Sequence, residues 1–199
     1  MRAAFSREET IMRYARYTAP LLVLLVAACS SQGTNSTSAA SSAANLVVSA
    51  SGALRVPDDY RNSYEALGTW AIAADKGQGS KELHVVYASP GAASARRRAG
   101  NFPDGTVLVK EVYDATTAPM TTGTVARAGK LKGWFVMVRD GHNSHRGNKL
   151  WGDGWGWSWF DADKPTATTS TDYRTDCLGC HEPARKANLV FEEGYPILH

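Results

Sequence analysis

The pentapeptide Cys177-Leu178-Gly179-Cys180-His181 constrains this chain more than any other stretch. It reads Cys-x-x-Cys-His. At that spacing two thiols can each form a thioether to one porphyrin, and the following histidine can ligate its iron. A disulfide, half of a zinc site or a dithiol redox pair would use the same two cysteines. A second cysteine pair or a histidine cluster would favour zinc, and the sequence has neither. A thioredoxin-like pair needs a βαβ setting, which this region lacks. The expectation is therefore haem c, covalently held by Cys177 and Cys180, with His181 on the iron.

The other end of the chain sets the compartment. Arg2, Arg7, Arg13 and Arg16 precede an apolar run centred on Leu21-Leu22-Val23-Leu24-Leu25-Val26, and small residues and Cys29 follow. That is the layout of an export signal. The run is too short for a spanning helix, which needs about 20 apolar residues. Val26-Ala27-Ala28-Cys29 is similar to the lipobox of bacterial lipoproteins, which makes Cys29 the expected lipidation site and residues 1–28 a signal peptide. An ordinary secretory signal with a leftover cysteine is the plainer alternative. Ser30, rather than Asp, follows Cys29, and this favours the outer membrane. The expected location is periplasmic and lipid-anchored. Of three cysteines, one then carries lipid and two carry haem, so none remains for a disulfide.

Residues 29–45 contain no charge and no aromatic and read as a flexible tether. Residues 46–199 are enough for one domain with one core. Losing the signal removes four Arg and two Glu, which takes the formal charge from +3 to +1. Such a balance gives no electrostatic case for nucleic acid.

Within the domain, a helix start is expected at residues 56–61 and a strand at 64–74. A second strand is expected at 81–88 and a helix capped by Ser89-Pro90 up to about Ala99, its Arg96-Arg97-Arg98 a solvated end. Strands follow at 106–113, 131–139 and 155–160, with loop at 116–129. Thr171-Asp172 is the expected N-cap of a haem-attachment helix ending near Lys186. Strands succeed one another with one helix between them, so the class is α+β: mainly antiparallel sheet, a few helices packed on one side, and a C-terminal haem-attachment helix.

Four segments carry a resemblance. They are Phe102-Pro103-Asp104-Gly105-Thr106-Val107-Leu108-Val109-Lys110-Glu111, the strand end Val138-Arg139-Asp140, the Cys177–His181 motif, and Leu189-Val190-Phe191 with Tyr195-Pro196-Ile197-Leu198. Together they resemble the cytochrome P460 family, which includes the β-sheet cytochromes c′. The resemblance implies a single c-type haem, five-coordinate through the motif histidine, with an open distal face and commonly a homodimer. In the P460 members a lysine of the Val-Lys-Glu strand is bonded to the porphyrin edge, and hydroxylamine is oxidised. The cytochrome c′ members lack that bond and bind nitric oxide in an apolar pocket.

Carried onto this chain, the cross-linking position is Lys110. Period two places it with Leu108 and Val112 on one strand face, where a lysine requires a partner or a bond. An edge-strand lysine that merely blocks aggregation is the plain alternative. His84 stands where the P460 members have a distal arginine, and a histidine there can hydrogen-bond an iron-bound ligand or shuttle a proton near neutral pH; a half-buried histidine bonded to backbone is the plain reading. Phe135 stands where they have a distal carboxylate, and its ring implies an apolar wall beside the porphyrin. Asp140, His142 and His145 are nearby candidates to replace the carboxylate. Trp134, Trp151, Trp155, Trp157 and Trp159 read as core or interface aromatics, with haem stacking open to one or two.

Two functions follow as expectations: oxidation of hydroxylamine at the haem, or binding of nitric oxide or a similar small ligand, or electron transfer, without catalysis. Neither Met120 nor Met137 lies in a ligand motif, which argues against a Met/His electron carrier. A redox partner cytochrome and a second copy of the chain are the partners implied.

Overall fold

The computed structural model describes residues 32–199. The export signal and Cys29 lie outside the described residues. Five of the helices are α1 (Gln32–Val47), α2 (Tyr60–Ser63), α3 (Ala92–Ala99), α4 (Tyr173–Asp176) and α5 (Leu178–His181). The strands are β1 (Glu65–Ala73), β2 (Ser80–Ala88), β3 (Val107–Met120), β4 (Gly123–Arg139), β5 (Trp151–Gly152) and β6 (Trp155–Asp161). They form one sheet in the order β1-β2-β3-β4-β6-β5, every pair antiparallel. The α+β reading holds.

The sheet has a core on each face. Val86, Leu108, Met137, Trp155 and Trp157 pack against α3, Tyr173, Cys177 and the C-terminal segment. On the other face Val107, Val109, Val136, Val138 and Phe160 pack against Ala43, Val47, Leu54, Val56 and Tyr60. The expectation of helices on one side is corrected here. β3 and β4 are apolar on both faces, so each face needs a cover. Each fully buried Val or Leu contributes roughly 1.5–3 kcal/mol.

That second face also corrects the tether. From residue 32 the expected linker is helical, and Ala40, Ala43 and Val47 of α1 are buried. Small residues suit the close approach: a Cβ at Gly105, which has φ +80°, would lie 2.8 Å from the carbonyl oxygen of Ala40.

Three more expectations change. The loop expected at 116–129 is a hairpin, in which β3 and β4 stay paired to Met120↔Gly123, well past the end of β2. Ser89 does not cap α3 with its hydroxyl; that oxygen accepts from the Val107 amide at 3.1 Å, and the N-cap position is Gly91. Nor is Arg96 solvated: its guanidinium forks onto Glu192, with Nε at 2.7 Å. Lastly, the attachment helix is broken. Asp172 caps α4 by accepting from the Arg174 amide. Cys177, at φ −130° and ψ −48°, interrupts the helix, and after His181 a 3-10 segment begins with Pro183 in its first turn.

Candidate functional site

Between the cavity face of the sheet and the C-terminal segment lies a cavity of about 660 Å³. The sheet wall includes Leu108, Lys110 and Val112 of β3, Phe135 and Met137 of β4, Trp157 and Trp159 of β6, and Glu82 and His84 of β2. The opposite wall carries Cys177, Cys180, His181, Val190, Phe191 and Tyr195.

His181 is oriented from behind. Its Nδ1 lies 2.6 Å from the carbonyl oxygen of Leu189. A carbonyl only accepts, so Nδ1 carries the proton and Nε2 keeps its lone pair free as a metal ligand. Trp157 meets the imidazole edge-on at 4.9 Å and Phe191 flanks it at 5.9 Å. Burial pulls the His181 pKa below the usual histidine value. Cys177 and Cys180 are free thiols, and burial pushes Cys177 up to about 11. Among the described residues no three His, Cys, Asp or Glu side chains converge as a metal cluster. Two unbridged thiols and one tautomer-fixed imidazole on the wall of a largely apolar cavity fit a haem with a single protein ligand.

Lys110 sits as the strand period required, paired with Val86 on one side and Phe135 on the other. Its Nζ lies 4.4 Å from the centroid of the Phe135 ring. Among the described residues it makes no hydrogen bond or ion pair. Burial lowers its pKa from the lysine norm, while Cys180, Glu82 and Cys177 act the other way. Phe135 in turn packs on Trp159 at 4.5 Å.

His84 is bonded to a side chain rather than to backbone. Its Nε2 lies 3.0 Å from Oε2 of Glu82, whose other oxygen accepts from Lys132. The bonds from Lys132 and His84 hold Glu82 below the ordinary carboxylate range. His84 itself is lowered by burial, with Glu82 opposing. A charged carboxylate beside a neutral imidazole fixes the tautomer: Nε2 donates to Glu82 and Nδ1 is the free base.

Glu82 is a cavity-wall carboxylate the sequence reading missed, although period two from His84 would have found it. Asp140, His142 and His145 do not line the large cavity. Asp140 accepts from the amide and hydroxyl of Ser144, and His142 pairs with Asp104 at 3.0 Å on the surface. His145 packs on Trp151 at 4.1 Å. Asp140 and His145 line a separate polar cavity of about 370 Å³. The tryptophans divide: Trp157 and Trp159 line the large cavity, while Trp134 lies on the other face with its indole N–H on Tyr60.

The family model described as Cytochrome P460 matches residues 57–192. The chain belongs to the cytochrome P460 family. It is thus a cytochrome that binds haem, and the match spans both walls of the large cavity up to Phe191. No curated protein sequence matches the chain.

Proposed function

We propose that this cytochrome P460 family member is an exported, lipid-anchored periplasmic protein that oxidises hydroxylamine at a c-type haem. In this reading Cys177 and Cys180 hold the porphyrin, His181 ligates the iron, and Lys110 is the residue placed to bond the porphyrin edge. A haem held there would supply a binding position for the substrate nitrogen and an acceptor for its electrons. The protein's own task is then to take protons. His84 does so at Nδ1, and Glu82 stabilises the imidazolium that results. Phe135, Trp159 and Val112 exclude water and keep the amine of Lys110 desolvated. A redox partner cytochrome takes the electrons onward, and a homodimer is the proposed assembly.

The observation that carries the reading is the Glu82–His84 pair on the same cavity wall as an unpartnered lysine. An apolar wall at Phe135 favours the second reading, nitric oxide binding without turnover. The tests are the absorption spectrum of the native purified protein with and without hydroxylamine and, on a separate sample, extraction with acidified organic solvent. Haem that resists extraction, absorbs at longer wavelength than an ordinary haem c, and is reduced by hydroxylamine supports oxidation. Extractable haem, or none, overturns the covalent reading. An ordinary haem c spectrum that hydroxylamine leaves unchanged places the chain with the gas-binding members.

A further inference from the structure

The wall between the large cavity and the polar one is two aromatic rings thick. Trp157 lines the first and Tyr173 the second. Their rings lie 6.2 Å apart at an interplanar angle of 11°. Both side chains are buried, at 1% and 3% exposure. On the inner side Trp157 touches His181 at 4.9 Å. On the outer side the Tyr173 hydroxyl donates to Oδ2 of Asp153 at 3.0 Å, and Asp153 takes Arg185 on its other oxygen. Arg174 lies over the Tyr173 ring at 4.8 Å. Gly152 sets both rings: its carbonyl accepts the Trp157 indole N–H at 3.1 Å, and a Cβ there would stand 2.2 Å from the Tyr173 hydroxyl oxygen. The proton chemistry proposed above uses none of these groups.

We propose that Tyr173 is a one-electron oxidation site, joined to the iron ligand through Trp157 and to Asp153 as proton acceptor, with hydrogen peroxide as the oxidant. The proposal rests on reading His181 as the haem ligand. With haem bound, cleavage of the peroxide O–O bond would release one water that carries both peroxide protons and would leave the haem centre, with the second oxygen, two electrons short. Tyr173 returns one of those electrons through Trp157, and its phenolic proton passes to Asp153; the remaining equivalent stays at the haem centre. A neutral tyrosyl radical and a protonated carboxyl remain. An oxidised phenol is a far stronger acid than the phenol itself, so the acceptor decides which tyrosine can be oxidised at low cost.

Two other tyrosines serve as internal controls. Tyr195 lines the haem cavity, but its hydroxyl faces the indole N–H of Trp70, a donor, and has no acceptor among the described residues. Tyr60 has a carboxylate, Glu111, but lies on the other face of the sheet. Tyr173 combines the acceptor with contact to the haem side. Its oxidation moves a damaging equivalent away from Lys110 and Trp159 into a polar cavity, where a small reductant can quench it.

The test is freeze-quench electron paramagnetic resonance of the haem-containing full chain after peroxide. A tyrosyl signal is expected in the parent, lost in Tyr173→Phe, diminished in Trp157→Phe and Asp153→Asn, and unchanged in Tyr195→Phe. A second readout covers variants that fail to fold: spin-trap adducts on the parent, mapped by peptide mass, should fall on the peptide holding Tyr173. A signal that survives Tyr173→Phe, or adducts on Tyr195 or Tyr60 instead, overturns the proposal while the haem reading stands. Protein without haem overturns both.

Discussion

Lys110 and Glu111 are consecutive on β3, carry opposite charges, and face opposite sides of the sheet. Glu111 is 2% exposed and has two donors. Tyr60 donates to its Oε1, Arg61 donates to the same atom at 2.6 Å, and Trp134 donates to Tyr60 at 2.7 Å. Lys110 has only the face of Phe135. Burying a charge is tolerable when partners replace the lost water. On the Glu111 face they do, and the result is a polar tie between α2 and the sheet. On the Lys110 face they do not, so that residue costs stability unless something outside the chain meets it. A buried charge met by donors from the chain marks architecture, whereas one without such partners marks a site.

The first way to break that comparison is Glu111→Ala. It removes the shared acceptor of Tyr60 and Arg61 and leaves a void. It should cost about 3 kcal/mol, the lower end for a broken buried pair because Arg61 can turn to solvent. Glu111→Gln keeps the volume and one acceptor and should cost about 1 kcal/mol. Equilibrium denaturant unfolding measures both. A loss below the glutamine value in the alanine variant would remove the structural half of the contrast.

On the other face the expected losses are in rate. His84→Ala removes the base and should lower kcat/KM for hydroxylamine about 10²-fold. Glu82→Gln leaves the imidazole but weakens its orientation, and about tenfold is expected. The rate should also fall in acid. His84 must be neutral to act, and burial lowers its pKa, so the falling limb lies below the ordinary histidine value. An unchanged rate in His84→Ala would favour the gas-binding reading. Glu82→Gln with unchanged unfolding but reduced rate would separate orientation from stability.

The two faces were not equally legible in the sequence. Period two put Lys110, Leu108 and Val112 on one strand face, and the Cys-x-x-Cys-His spacing put His181 beside Cys177 and Cys180, because both are local rules; that the two groups share one cavity is a tertiary fact that only the family resemblance implied. Glu82 lies within the same period-two rule, two residues from His84, but the family resemblance points for a carboxylate to the position three residues before Val138, where Phe135 stands. The rest depended on distant partners. Arg96 looks solvated until Glu192 folds onto it. The low-complexity run at 32–45 looks like a tether until the apolar back of β3 and β4 gives Ala43 and Val47 something to cover. The hairpin beyond Asp114 was hidden by Gly and Thr residues that read as loop.

The smallest effect gives the sharpest test of Lys110. Lys110→Met replaces an unpartnered amine with an apolar chain of similar length, so stability should change by no more than about 1 kcal/mol, with a gain the expected sign. The pH dependence goes further. Burial depresses the folded-state pKa of Lys110 below its ordinary 10.5. Between the depressed value and 10.5 the unfolded chain binds a proton that the folded chain does not, so stability rises with pH there, by at most about 1.4 kcal/mol per pH unit. In the Cys177→Ala/Cys180→Ala chain, which cannot attach haem, the Lys110 form should gain stability over its Lys110→Met counterpart as pH climbs through that window. In the haem-containing protein the same pair should stay parallel, because a nitrogen bonded to porphyrin carbon no longer titrates as an amine. A slope of equal size in both backgrounds would mean that Lys110 remains a free amine beside the haem. The unpartnered charge would then belong to a ligand-binding wall rather than to a cross-link.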